Sequence, residues 1–269
     1  MAFYEDLGDG RFASTVHTTG PWDPGFQHGG PPSALLGRAV ERHAPREDMM
    51  VARMTIEILG AIPVAELAVT TRLVRPGRSV ELLQSVLSHD GREVARASAW
   101  RVRRVEGAAV DSRARPVPPL PAAQPERAVA GWVSGYLQAI EWRFTEGHFV
   151  DPGPAVGWGR MREPLLAGED PSPLTRVLVL ADSSNGVSSE LDIRQWQFIN
   201  PELTVHLHRE AVGEWVCLDA STVVSAGGVG LATSSLSDQL GPLGVGAQSL
   251  LVGPRSGQHL TGRKRCGLR

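Results

Sequence analysis

Lysine is almost missing from this sequence: Lys264 is the only one, and arginine supplies nearly all the positive charge. That bias fits a GC-rich coding sequence as well as any function, and it excludes little. The scarcity of cysteine excludes more. Cys217 falls in a strand-like segment and Cys266 in a polar tail, so no disulfide framework is expected. No apolar run approaches the ~20 residues that span a bilayer. The opening Met-Ala-Phe-Tyr-Glu-Asp lacks the basic and then apolar pattern of a signal peptide. A cytoplasmic protein away from the membrane is the expectation. Neither sign of charge dominates, and a formal net charge of -2 gives no reason to expect a nucleic-acid partner. The Gly-x-Ser-x-Gly elbow of serine hydrolases is missing as well. Gly244-x-Gly246-x-x-Ser249 falls within a predicted strand with no helix after it, which rules out a dinucleotide loop.

What the sequence does have is one structural phrase written twice. The first copy runs from His28-Gly29-Gly30 through Met54-Thr55-Ile56-Glu57-Ile58 to a turn at Asp90-Gly91 and the strand Glu93–Arg103. The second runs from Ala181-Asp182-Ser183 through Leu203-Thr204-Val205-His206-Leu207 to a turn at Gly241 and the strand ending Ala247-Gln248-Ser249-Leu250. Equivalent points lie too far apart for a solenoid, so this is a duplicated domain. A length of 269 residues leaves room for two modest copies.

Periodicity gives each copy a helix followed by four strands. In residues 51–59, Met54, Ile56 and Ile58 alternate with Thr55 and Glu57, a period of two. Strands follow over 66–75, 79–88 and 92–103. Leu35, Leu36, Ala39 and Val40 recur at helical spacing, which predicts a largely buried helix over Ser33–His43. The second helix is expected over Ser183–Leu191, with strands over 139–147, 155–162, 203–209, 214–224, 229–237 and 244–252. The expected divisions are a first repeat over 1–105, a proline-rich linker over 106–125, a second repeat over 126–252 and a flexible tail over 253–269. Five prolines between Pro116 and Pro125 bar that linker from helix and from central strand.

These residues resemble the double hot-dog acyl-CoA thioesterases, the type II group. The specific pieces are Ala181-Asp182, the block Leu203–Arg209 with Gly213-Glu214-Trp215 after it, and Ala247-Gln248-Ser249. The resemblance implies an α+β fold in which each repeat wraps an antiparallel sheet around one long helix. The two sheets are then expected to join edge to edge, with both helices on the concave side. It also implies a homodimer or larger assembly, with the outer face of strand 203–209 as a possible contact. An acyl-CoA or acyl-carrier thioester would be the substrate, and no cofactor is implied beyond the coenzyme A that the substrate itself carries. In the family an Asp at the start of the second helix, a Ser or Thr before the His-Arg strand and a Gln on a late strand hold the attacking water. Asp182 and Gln248 match the first and last. The middle position falls on Asn200, where a hydroxyl is usual, with Thr204 as the alternative. In the first copy the matching places are the His28-Gly29-Gly30 region and Ala99-Trp100. No carboxylate is available there, so one working site per chain is expected.

Those residue types suit the chemistry. A carboxylate can take the proton from an attacking water, and amides can orient that water. Backbone N–H groups at a helix start can meet the oxyanion, and glycine lets a ligand approach them closely. His28, Gly29 and Gly30 are therefore the expected substrate-binding set. Each residue also has an ordinary explanation. Asp182 could merely cap a helix, Gln248 could be an exposed strand residue, and Asn200 before Pro201 could be a turn. His206-x-His208 lacks a third ligand at metal spacing, so no metal is expected. Two further functions stay open: a hydratase or dehydratase of the same fold using His28 as base, and a non-catalytic thioester binder.

Overall fold

In the computed structural model, residues 1–105, 107, 116–125, 127 and 135–255 are described. Thirteen strands form one antiparallel sheet. Its first half is β1 (Tyr4–Gly8), β2 (Arg11–Ser14), β4 (Glu66–Arg75), β5 (Val80–His89), β6 (Arg92–Arg103) and β3 (Met49–Ile58), in that spatial order. The second half mirrors it from the other edge. There β7 (Ile140–His148), β8 (Asp151–Met161), β11 (Trp215–Val224), β12 (Val229–Asp238), β13 (Gly241–Pro254) and β10 (Glu202–Leu207) follow in the same pattern. A short strand, β9 (Trp196–Ile199), pairs with the end of β13. The halves join where β3 meets β10, with Thr55 opposite Thr204. The expected edge-to-edge joining of two copies is what the structure shows.

Each outer edge, which would otherwise offer unpaired backbone groups, is met by another segment at one place. Along β1, Phe3 and Tyr4 donate their amides to the Pro164 and Leu165 carbonyls. Along β7, Gln124 does the work of a strand neighbour. Its side chain donates to the Phe144 carbonyl and accepts from the Phe144 amide, at 2.8 and 3.0 Å. Residues 116–125 are neither helix nor strand, as their prolines dictate, yet Val117 and Leu120 pack against the buried Trp158 and Trp215. Of the expected tail, β13 takes Gly253 and Pro254, and residues 256–269 lie outside the described residues. Among the described residues no helix is long and apolar enough to cross a membrane.

Two helices pack against one face. The first, α1 (Gly30–Arg42), starts three residues earlier than its periodicity predicts, because Pro31 and Pro32 fit a first turn whose N–H groups need no intrahelical acceptor. The second helix is not where it was expected. It is α3 (Pro173–Ala181), opened by Ser172 as N-cap with its hydroxyl accepting from the Thr175 amide. Residues 184–187 form only one turn, α4 (Ser184–Val187). A further short helix, α2 (Gly135–Ala139), precedes β7. The helices α1 and α3 run antiparallel: Gly30 sits against Val179, Gly37 against Leu178, and Glu41 against Ser172.

At that last contact Ser172 donates to the Glu41 carboxyl at 2.7 Å. Burial pushes the Glu41 carboxyl up from 4.5 to about 6, outweighing the pull of Ser172 and Arg42. The folded protein therefore holds a proton that the unfolded chain has released, and stability falls as pH rises through that window. Glu41→Gln is expected to flatten this dependence and to add on the order of 1 kcal/mol above pH 6. Urea melts of both proteins at pH 4.5, 6 and 7.5 check it; parallel curves would refute it.

Candidate active site

Asp182 follows the last turn of α3 and stands one residue before Ser183, the N-cap of the single turn α4, so the long helix ends where the sequence reading had it begin. Its carboxylate accepts from side-chain amides, which is not the bonding of a helix cap. The carboxylate reaches side chains from three other segments. Asn200 donates its Nδ2 to Asp182 Oδ1 at 2.8 Å, and Gln248 donates its Nε2 to the same oxygen at 3.2 Å. His28 Nδ1 lies 3.4 Å from Oδ2. The three residues Asp182, Asn200 and Gln248, far apart in sequence, are thus one hydrogen-bonded cluster, and the histidine of the first copy faces it.

Partners settle which way each amide points. Asn200 Nδ2 faces only acceptors, Asp182 Oδ1 and the Glu202 carbonyl, so its own oxygen is left facing elsewhere. Gln248 spends both N–H groups on Asp182, one on the carboxylate and one on the main-chain oxygen at 3.0 Å, while its oxygen accepts from the Asn185 amide. Gln248 is fully buried and does not line the adjoining cavity. It fixes the carboxylate from behind, where the family resemblance suggested a residue touching water. Thr204, the alternative to Asn200, lies instead on the junction strand and bonds Thr55 and Glu202.

The helix start is narrower than its sequence suggests. Pro31 and Pro32 have no N–H, and the Gly30 amide donates to His28 Nδ1 at 3.0 Å. The Gly29 amide has no acceptor among the described residues. Gly29 itself touches the carboxylate: a Cβ there would lie 2.6 Å from Asp182 Oδ2. Burial lowers the His28 pKa, and the nearby Asp182 charge opposes this without reversing it. With Gly30 donating to Nδ1, the neutral ring carries its proton on Nε2.

Beside this cluster opens a cavity of about 840 Å³, reached by His28, Gly29, Asp182 and Asn200. Its volume is near the upper end for a small-molecule site. One wall comes from the first copy, with Trp22, Phe26, Ile58, Leu59 and Ile62. The other comes from the second, with Leu191, Ile193, Phe198 and Ile199. Arg127 and Arg194 also line it. The site therefore lies between the two copies and is predominantly apolar.

The other end of the helix pair lacks the same cluster. Thr55 pairs with Ser98 as Thr204 pairs with Ala247, which makes Ala99 the counterpart of Gln248, as the sequence reading expected. The counterpart of Asp182, expected at His28-Gly29-Gly30, lies instead at the end of α1, where Glu41 meets Ser172 with no amide pair behind it. Sequence reasoning also missed two residues of the working cluster. Asn185 reads as part of a capping stretch, and Tyr136 sits on a helix too short to leave a periodic signal. The His-Arg motif proves structural at its arginine: Arg209 holds both oxygens of the fully buried Asp238 at 2.6 Å. His206 and His208 are exposed, and among the described residues no three His, Cys, Asp or Glu side chains are grouped to hold a metal ion.

Comparison with known proteins agrees with this architecture. Residues 18–102 match the family model of the acyl-CoA thioesterase N-terminal domain, and residues 112–252 match that of the acyl-CoA thioesterase C-terminal domain. Among solved structures, a hot-dog-fold protein from Alicyclobacillus acidocaldarius superposes with a TM-score of 0.72 at 18% identity, covering 93% of this chain and 95% of that one. Acyl-CoA thioesterase II TesB2 from Mycobacterium marinum gives 0.67 at 15% identity, covering 95% and 96%. The tesB protein of Mycobacterium avium subs paratuberculosis gives 0.68 at 19% identity, covering 93% and 96%. At such identities the structures speak for the fold, and the two domain matches speak for the family. A search of curated protein sequences returns no match.

Proposed function

The chain belongs to the acyl-CoA thioesterase family, and from that premise we propose that it hydrolyses an acyl-CoA with Asp182 as the base. The protein is a thioester hydrolase. The observation that carries the assignment of Asp182 is its setting: a buried carboxylate that lines the cavity, with one oxygen held by two amides and the other beside His28. A water placed there can give one hydrogen bond to Asp182 Oδ2 and one to Asn200 Oδ1, leaving a lone pair for the carbonyl carbon. As the C–O bond forms, the water's proton passes to Asp182. The carbonyl oxygen gains charge where the Gly29 amide can meet it. The C–S bond then breaks, and the leaving thiolate takes up the proton that Asp182 accepted, so water and thioester become acid and thiol and the carboxylate is restored. Asn200 thus fills the place of the family's hydroxyl as an acceptor.

Thiol release from a panel of acyl-CoA esters tests the reading. Release of thiol and acid in equal amounts supports it. A reversible change in enoyl absorbance without thiol would favour the hydratase alternative, and saturable binding without either product would favour a binder.

Self-association is the second element of the proposal. On the outer sheet face Val223, Leu231 and Val245 are exposed beside Ser221, Thr233 and Ser235, with Asp219 at the edge. This mainly apolar and hydroxyl-bearing surface adjoins β10 and suits a second copy better than a charged partner. Sedimentation at micromolar concentration is expected to show a dimer or larger species; a single species at 28.9 kDa would contradict it.

A further inference from the structure

We propose that Tyr136 is a positioning residue, which locks His28 and the Asp182 turn into their working relation; the proposal rests on the site assigned above. Tyr136 is fully buried, and its ring lies parallel to the His28 imidazole at 3.7 Å between centroids and 3° between planes. The stack is set by the backbone. His28 donates its amide to the Thr18 carbonyl, and Tyr136 donates its amide to the neighbouring Thr19 carbonyl, so both rings hang from one short 3₁₀ turn, Val16–Thr18, and its cap. Gly135 makes this possible, since any Cβ there would overlap Val16.

The hydroxyl does a second job. It lies 2.9 Å from the Val179 carbonyl and 2.7 Å from Ser183 Oγ. A carbonyl can only accept, and the phenol has one proton, so Tyr136 donates to Val179 and Ser183 donates to Tyr136. Val179 is in the last turn of α3, where carbonyls lack intrahelical partners. The hydroxyl therefore ties down both sides of Asp182, through a carbonyl three residues before it and a side chain one residue after it. Gly30 packs against the same Val179 carbonyl. The start of α1, the end of α3 and α2 meet at this single point, and Tyr136 is the residue that links all three.

Tyr136→Phe keeps the stack and deletes both hydroxyl bonds. The turn carrying Asp182 then loses its anchors, and a misplacement near 1 Å can cost about 10²-fold in rate. The variant is expected to lose at least about tenfold in kcat on the acyl-CoA ester hydrolysed best, with KM changed less than about twofold, since the substrate walls are untouched. If the loss runs through Asp182, adding Tyr136→Phe to Asp182→Asn costs far less than it costs alone. A purely structural role would cost the same factor in both backgrounds. Ser183→Ala, which removes only the link nearest Asp182, is expected to lower kcat in the same background-dependent way, and serves as the test if Tyr136→Phe does not fold. Unchanged kcat in the folded variant, or the same loss in the Asp182→Asn background, would overturn the proposal while leaving the site assignment standing. A wild-type protein that releases no thiol would instead remove the assignment on which it rests.

Discussion

Asp182→Asn is expected to lower thiol release by roughly 10²–10⁴-fold, the range for loss of a general base, with little change in thermal stability. The structure explains why the two effects separate. The substituted side chain can keep an oxygen where Asp182 Oδ1 now accepts from Asn200 and Gln248. Its amide nitrogen then replaces Oδ2, beside His28 Nδ1, which is an acceptor when the ring is neutral. Shape and hydrogen bonds survive, and only the proton acceptor is lost. Gln248→Ala is expected to show the converse balance. It leaves the Asn185 amide and the Asp182 carbonyl without their partner in a dry setting, a cost of about 1–3 kcal/mol. Its effect on rate should be smaller, because Gln248 holds the base and does not accept the proton. Full activity in a folded Asp182→Asn protein would remove Asp182 from the mechanism and make His28 the candidate base.

Gly29→Ala is expected to be the second most damaging change, at about 10²-fold in kcat/KM. The backbone does not object: Gly29 has φ −68 and ψ −18, which alanine adopts freely. The objection is the carboxylate. A Cβ at residue 29 would stand 2.6 Å from Asp182 Oδ2 and 2.9 Å from its Cγ, and Asn200 and Gln248 leave the group little room to retreat. Combining the two substitutions gives a sharper test. If Gly29→Ala acts only by displacing Asp182, adding it to Asp182→Asn should cost far less than it does alone. Full additivity in that cycle would show that Gly29 acts independently, through access or through its amide.

The sheet was legible in the sequence because its signal is short-ranged. Strands over 66–75 and 92–103 are found where alternation and the Asp90-Gly91 turn put them, and Asp90 and Gly91 both take the positive φ that such a hairpin needs. The duplicated phrase gave the correspondence of Thr55 with Thr204, and the register confirms it. The second helix was not legible for a physical reason. Val177, Leu178, Val179, Leu180 and Ala181 form an unbroken apolar run, which period alone cannot tell from a buried strand. Ser172-Pro173 is a good cap and first-turn signal, but it competes with the Ser-rich stretch after Asp182.

The site was legible as a set of residues and not as an arrangement. Asp182, Asn200, Gln248 and His28 do converge, across separations that only the sheet topology closes. What each one touches could not be read from residue type. Gln248 carries the same label whether it faces water or, as here, the back of a carboxylate. Tyr136 belongs to a five-residue helix, and nothing local to it announces that His28 lies against its ring.

The most direct test of the account is a crystal structure of Asp182→Asn with an intact acyl-CoA bound. The account predicts the acyl chain between the Trp22 and Phe198 walls and the thioester carbonyl oxygen on the Gly29 amide. An ordered water should contact the side chain at position 182 and Asn200, about 3–3.5 Å from the carbonyl carbon. An acyl chain bound outside this cavity, or a thioester whose carbonyl carbon faces the His28 ring with no water near position 182, would contradict it.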